Sequence, residues 1–312
     1  MKHQQPKGKL EVMKRLSKNI LIVGSVVVSA ALATSVRAQN LNGTLNSGFY
    51  GSALAVQTIN TGFGNSPGGG DATVGSELDA GYGVISGGNL YLFLSGNFEN
   101  NGNHLNVFIG SSDVPGQNVL NIGSSNEANM NGSTFSPGFN ANYMIDINDY
   151  AGTAYTDGFS LPNGGQASQA YLGGVPSQAS GVYSNWNLGP FSLALNNTHT
   201  STMGAAGAAL SGATSGAATT TGLELTIPLS TIGSPAGAVM VMADINGGGD
   251  SYLSNQFLPG LPVGTGNLGN PAVFNFGSTA GEYFTVVPEP SSISLVVVGL
   301  LGAIGMIRRR KV

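Results

Sequence analysis

Short runs of alternating apolar and polar residues, separated by Gly, Asn, Ser and Pro, make up most of the chain between Gln39 and Val287. Alternation of period two marks a strand with one buried face. The stretch 39–67 predicts a leading strand region, with Ala53–Val56 and Phe49-Tyr50 extended, closing in Gly68-Gly69-Gly70. Gly81–Ile85 and Leu90–Leu94 flank Ser86-Gly87-Gly88-Asn89, which predicts a tight hairpin because glycine accepts positive φ. In its second arm Leu90, Leu92 and Leu94 oppose Tyr91 and Phe93, so both faces are apolar and the strand is expected to be central.

Further strands are expected at Leu105–Ile109 and, less clearly, at Asn118–Ile122. Tyr143, Ile145 and Ile147 alternate with Met144, Asp146 and Asn148, which predicts a half-buried strand whose polar face carries a carboxylate. Phe191–Leu195, Leu223–Ile227, Val239–Ala243, Ala272–Phe276 and Tyr283–Val287 complete about ten strands, the third of these regions running into Asp244 at its end. Met203–Thr221, almost wholly Ala, Gly, Ser and Thr, reads as a crossover. Many short strands at near-regular spacing predict an all-β fold, a β-sandwich of jelly-roll type over 39–287.

The two ends follow different rules. Residues 1–38 place Lys2, Lys7, Lys9, Lys14, Arg15 and Lys18 before an apolar run, Ile20–Ala33, and then Val36-Arg37-Ala38. That order is a secretory signal peptide cut before Gln39 by signal peptidase; cleavage after Ala33 and an uncleaved anchor remain alternatives. Residues 288–312 hold Pro288-Glu289-Pro290, an apolar run Ile293–Ile307, and Arg308, Arg309, Arg310 and Lys311. As a helix the apolar run would span roughly 22 Å against a hydrocarbon core of about 30 Å, a short transmembrane segment whose basic end stays on the cytoplasmic side.

The tail resembles the PEP-CTERM sorting signal of exported bacterial proteins. The resemblance implies recognition and removal of the segment by a membrane-embedded exosortase, transient anchoring in the inner membrane, and delivery to the cell surface or extracellular matrix. Gly222–Ile232, reading GLELTIPLSTI, and the strand reaching Asp244 and Asn246 are similar to part of the DOMON and family 9 carbohydrate-binding sandwiches. That resemblance covers about 25 residues and transfers no ligand residues.

Charge sharpens the division. All 11 Lys and Arg residues lie in the end segments, and residues 39–287 contain none, although they hold 13 of the 15 acids. Without Lys or Arg no surface can neutralise phosphates, so nucleic acid is excluded as a partner. A nucleophilic Cys, a Schiff-base Lys and an arginine clamp are absent from the same stretch. His104 and His199 lack any supporting motif and are read as exposed polar residues, so the expectation is a non-catalytic protein. Gly264-Thr265-Gly266-Asn267-Leu268-Gly269 matches a dinucleotide fingerprint in letters alone, since prolines on both sides forbid the strand and helix it needs.

Two acidic clusters remain as candidate metal sites, Asp244, Asn246 and Asp250 around a glycine turn, and Asp146 with Asp149 on the expected half-buried strand. Their oxygens suit Ca2+, while Asp and Asn are equally at home in turns that bind nothing. Trp186 and Tyr183, set among Asn and Ser, could stack on a sugar ring or could fill the core. The functional expectation is an exported, non-catalytic surface or matrix protein, with a carbohydrate-binding module for a surface polysaccharide as the alternative.

Overall fold

The computed structural model describes residues 39–63, 75–123, 125–176, 182–188, 190–197, 216–279 and 281–288, and for 182–188 the backbone only. They form an all-β body of two antiparallel sheets. The first sheet is ordered β1 (Ala55–Val56), β2 (Glu77–Ser86), β3 (Asn89–Asn97), β10 (Gly222–Pro228), β9 (Phe191–Asn196) and β8 (Val182–Leu188). The second is ordered β12 (Leu253–Leu258), β11 (Val239–Asn246), β4 (His104–Ser111), β5 (Ala141–Tyr150), β6 (Thr153–Ser160) and β7 (Ser168–Pro176). β13 (Phe284–Val286) pairs with Val239–Val241, so β12 and β13 share one edge of β11.

The expected hairpin is β2–β3, closed by Gly87 and Gly88 with φ of 58° and 79°. Only a two-residue turn with both central φ positive matches the right-handed twist of its arms, and glycine reaches it without a Cβ clash. β3 lies between β2 and β10, which bears out its two apolar faces. Leu90, Leu92 and Leu94 enter the core between the sheets with Leu223, Leu225 and Ile227 of β10, facing Leu105, Val107 and Ile109 of β4 and Val241, Ala243 and Ile245 of β11. Tyr91 and Phe93 pack on the other side with Tyr82, Phe49 and Tyr50.

Three local expectations are corrected. Phe49 and Tyr50 lie in a helical turn, Ser47–Tyr50, which lays both rings on the outer face of the first sheet. Asn118–Ile122 makes a single isolated bridge, Val119 with Thr134, and Ala272–Phe276 leads into a 3-10 turn at Phe276–Ser278. Both segments serve as cover. Leu120, Ile122, Phe135, Phe139 and Phe276 form a second apolar cluster with Phe108, Met144, Met242, Phe159 and Phe257 on the outer face of the second sheet. The sequence pattern does not predict β6, β7, β8 or β12, and most of the Met203–Thr221 crossover lies outside the described residues.

That cover changes the character of β5. Its polar face, expected to meet solvent, is closed over by the connection between β4 and β5. Asn118 Nδ2 holds that connection in shape through the carbonyls of Phe135, Ser136 and Phe139 at 2.8–3.2 Å. Ser133 Oγ and the backbone of Thr134 tie it to the chain after β12. Asp146 is consequently 1% exposed.

Among the described residues no helix is long and apolar enough to cross a membrane. The segments 1–38 and 289–312, which carry the export and sorting expectations, lie outside the described residues.

Candidate functional site

The outer face of the second sheet is organised in rows that run across the strands. Strand pairing sets Met242, Phe108, Met144 and Phe159 in one row, all apolar. The next row is Asp244, Asn106, Asp146 and Asp157, continued on β7 by Tyr171. The row beyond is Asn246, His104, Asn148 and Tyr155. Side chains alternate along each strand, so one apolar and two polar rows share a face, and the apolar row anchors the cover.

Two short turns lean over the polar rows. The 3-10 turn Asn126–Met130 brings Glu127 and Met130, and the turn Gly248–Asp250 brings Asp250. Gly249 and Asp250 both take left-handed φ, 64° and 49°. That conformation is strained for an aspartate and aims its carboxyl back at the sheet. Asn129 Nδ2 donates to the carbonyl of Gly249 at 2.7 Å, locking one turn to the other. A register shift between Asp244 and Asn246 on the β12 side accompanies this, as bulges often do beside sites.

His104 Nδ1 lies 2.9 Å from Asp146 Oδ1 and 3.3 Å from Asp250 Oδ2. Its Nε2 receives the backbone N–H of Gly249 at 3.2 Å and stands 2.6 Å from Asn148 Nδ2. A backbone N–H can only donate, so Nδ1 carries the ring proton and gives it to Asp146. Asn106 Nδ2 donates to Asp250 Oδ1 at 2.7 Å and to Asp244 Oδ1 at 3.3 Å, while Asn246 Nδ2 reaches Asp244 Oδ1 at 3.4 Å. The donors end there: Asp244 Oδ2, Asp250 Oδ2, Glu127 Oε2, Asn106 Oδ1, Asn246 Oδ1 and Asn148 Oδ1 are buried and accept no hydrogen bond.

Crowding of buried acids has an electrostatic consequence. Burial pushes the carboxyl of Asp244 up to about 7. Asp146 is held well above the usual carboxylate range by burial first and then by Glu127, and Asp250 by burial and then by Asp146. Asp157, half-buried, is raised by the same loss of water.

Above the carboxylates opens a cleft of about 480 Å³. It is lined by the buried His104, Glu127 and Asp146, by Asn148 and Asp157, by the three tyrosines Tyr150, Tyr155 and Tyr171, and by Asn101, Gly102, Gly248 and Gly249. The three tyrosines are 59%, 39% and 63% exposed.

The structure therefore joins the two acidic clusters of the sequence into one site. Asp146, Asp244, Asn246 and Asp250 converge. Asp149 does not, because it shares the inward parity of Ile145 and Ile147 on β5. His104, expected to be exposed, is 2% exposed and central to the site, since the cover and the Gly248–Asp250 turn close over the start of β4. His199 and the side chains of Trp186 and Tyr183 lie outside the described residues. One signal could have found the convergence. Met144-Ile145-Asp146-Ile147-Asn148 and Met242-Ala243-Asp244-Ile245-Asn246 are two copies of M-x-D-I-N, and they flank β4 so that both aspartates oppose Asn106 and both terminal asparagines oppose His104.

Fold and site together define an all-β protein with a buried carboxylate–histidine cluster under a tyrosine-walled cleft. No protein-family model, curated protein or solved structure matches the chain.

Proposed function

We propose that the chain is an exported, non-catalytic protein of the cell surface or extracellular matrix whose tyrosine-walled cleft binds a carbohydrate. The observation that carries this reading is the placement of Tyr150, Tyr155 and Tyr171, partly exposed, around a cleft otherwise walled by carboxylates and amides. A sugar ring offers an apolar face that packs on an aromatic ring and hydroxyls that hydrogen-bond amides and carboxylates. Monomeric proteins keep large exposed aromatics few unless a surface is used. The absence of Lys and Arg from 39–287 keeps anionic polymers from being the natural partner, so a neutral or cationic polysaccharide fits best.

Export rests on the signal peptide at 1–38 and on the PEP-CTERM-like tail from Pro288 to Val312, with signal peptidase and an exosortase as processing partners. Confinement of every basic residue to these two ends supports the same reading. A jelly-roll course for the sandwich belongs to the proposal, supported by β3 lying next to β10 in one sheet and β4 next to β11 in the other. Assistance by a divalent cation, which the sequence alone suggests as calcium, also belongs to it, supported by the buried carboxylates of the cleft floor.

Binding to a panel of immobilised polysaccharides, with Ca2+ and then with chelator, tests the proposal. Retention on at least one neutral or amino-sugar polymer is expected. Failure on every member of the panel would refute carbohydrate recognition.

A further inference from the structure

We infer that His104, Glu127, Asp146 and Asp250 form a binding site for one divalent cation that accepts mixed nitrogen and oxygen donors, such as Mn2+, Fe2+ or Zn2+, at the floor of the cleft. One donor atom from each residue lies within 4.8 Å of all the others. Ligands about 2.1 Å from an ion stand about 3.0 Å apart at right angles and about 4.2 Å apart across it. The separations from His104 Nδ1 to Asp146 Oδ1 and Asp250 Oδ2, 2.9 and 3.3 Å, belong to that geometry.

The unpartnered oxygens are an independent observation. Glu127 Oε2 and Asp250 Oδ2 are buried and accept no hydrogen bond, on residues 2% and 0% exposed. Buried polar atoms are almost always satisfied, and an exception asks for an ion or a water. This fold satisfies carboxylates elsewhere. Glu224, also 0% exposed, receives Gln39 Nε2, Tyr50 Oη and the backbone N–H groups of Asn42 and Gly43 at 2.8–3.2 Å. At the cleft floor the same chain brings four acids, Asp244 included, against one imidazole and no Lys or Arg. An ion is the counter-charge that would let these acids ionise together in a body without Lys or Arg.

The surrounding residues are placed as supports. Asn106 Nδ2 occupies Asp250 Oδ1 and leaves Oδ2 for the ion. When Nδ1 ligates, its proton moves to Nε2, the bond from the Gly249 N–H to Nε2 is given up, and Asn148, with its amide turned over, presents to Nε2 the oxygen that otherwise lacks a donor. A nitrogen ligand selects against Ca2+ and Mg2+, which take oxygen shells, and the lack of cysteine selects against a thiolate site. His104, Glu127 and Asp146 border the cleft, so remaining coordination positions face it. Where the carbohydrate reading holds, a pair of sugar hydroxyls would occupy them, but the ion site stands without it.

The test uses the full-length chain, stripped with chelator and then titrated calorimetrically with Mn2+, Zn2+ and Ca2+. One equivalent of Mn2+ or Zn2+ should bind at least ten-fold more tightly than Ca2+, and the zinc K-edge absorption spectrum should show imidazole among the ligands. His104→Gln and Asp146→Asn should each weaken binding 100-fold or more, while Asp113→Asn, on an exposed loop, should leave it unchanged. No binding by the wild-type chain, an all-oxygen shell, Ca2+ bound as tightly, or undiminished binding by folded His104→Gln would each overturn the assignment. None of these readouts depends on a sugar, so loss of carbohydrate binding alone would leave the ion site standing.

Discussion

Replacing Asp244 by asparagine should change the stability of the metal-free protein in a pH-dependent way. Asp244 is fully buried, and its Oδ1 takes amide donors from Asn106 and Asn246 while Oδ2 takes none. Burial raises its carboxyl from 3.8 to about 7. Between those values the folded chain holds a proton that the unfolded chain releases, so wild-type stability is present at low pH and is lost as pH rises toward 7. Three pH units at about 1.4 kcal/mol each bound the whole effect near 4 kcal/mol, of which about 3 falls between pH 5 and pH 8. Asparagine does not titrate, but its amide nitrogen would occupy the donor-free Oδ2 position, at a roughly constant penalty of about 1–3 kcal/mol. Guanidinium unfolding in chelator should therefore find the variant less stable than wild type at pH 5 and equal or more stable at pH 8, a relative swing of about 3 kcal/mol. A difference that stays constant across this range would refute the reasoning, because it would mean that Asp244 carries no burial penalty to relieve.

Glu224→Ala strands four donors under the helical turn Ser47–Tyr50 and should destabilise the body by about 3–5 kcal/mol in chemical denaturation, whereas Tyr50→Phe, which removes one of them, should cost about 1 kcal/mol. Phe276→Ala empties a fully buried ring site against Phe108, Phe135 and Phe257 and should cost about 3–5 kcal/mol by the same measurement. Mass spectrometry of the protein recovered from the cell surface should find Arg308–Val312 removed; finding the basic end still attached would refute sorting by cleavage.

The strands that sequence reveals are those whose two faces differ in polarity. β4, β5, β10 and β11 alternate cleanly because one side of each enters the core between the sheets. β7 gives no such signal, since its Ser168–Tyr171 portion is exposed throughout and its later positions are glycine-rich. β12 is buried on both sides despite Ser254, Asn255 and Gln256; the Ser254 hydroxyl accepts the Gln256 N–H within the strand, and the last two residues bond the chain around 57–62 and 265–267. That pairing is non-local and leaves no local pattern.

The site was legible by halves. The carboxylates of Asp146 and of Asp244–Asp250 stand out as clusters, yet their union depends on β4 running between β5 and β11, which no local spacing encodes. His104 was hidden for a related reason. Its burial comes from Glu127, about twenty residues downstream, and from the Gly248–Asp250 turn, more than 140 residues away. Asp149 shows the opposite failure, because adjacency in sequence suggested a partner for Asp146 where strand parity turns the two to opposite faces. The paired M-x-D-I-N words carry the missing information, since two identical polar registers on neighbours of one strand must present their aspartates in one row.

Affinity electrophoresis of the wild-type chain beside Tyr155→Ala and Tyr171→Ala, in gels containing the polysaccharide that retains the wild type, tests the central claim most directly. Both rings line the cleft and stand partly exposed, Tyr155 on β6 and Tyr171 on the edge strand β7, so their loss should leave the core packing intact. Retardation of the wild type, weakened ten-fold or more in each variant with the unfolding midpoint unchanged, is the predicted result. Equal retardation of all three proteins would contradict a carbohydrate-binding role for the cleft.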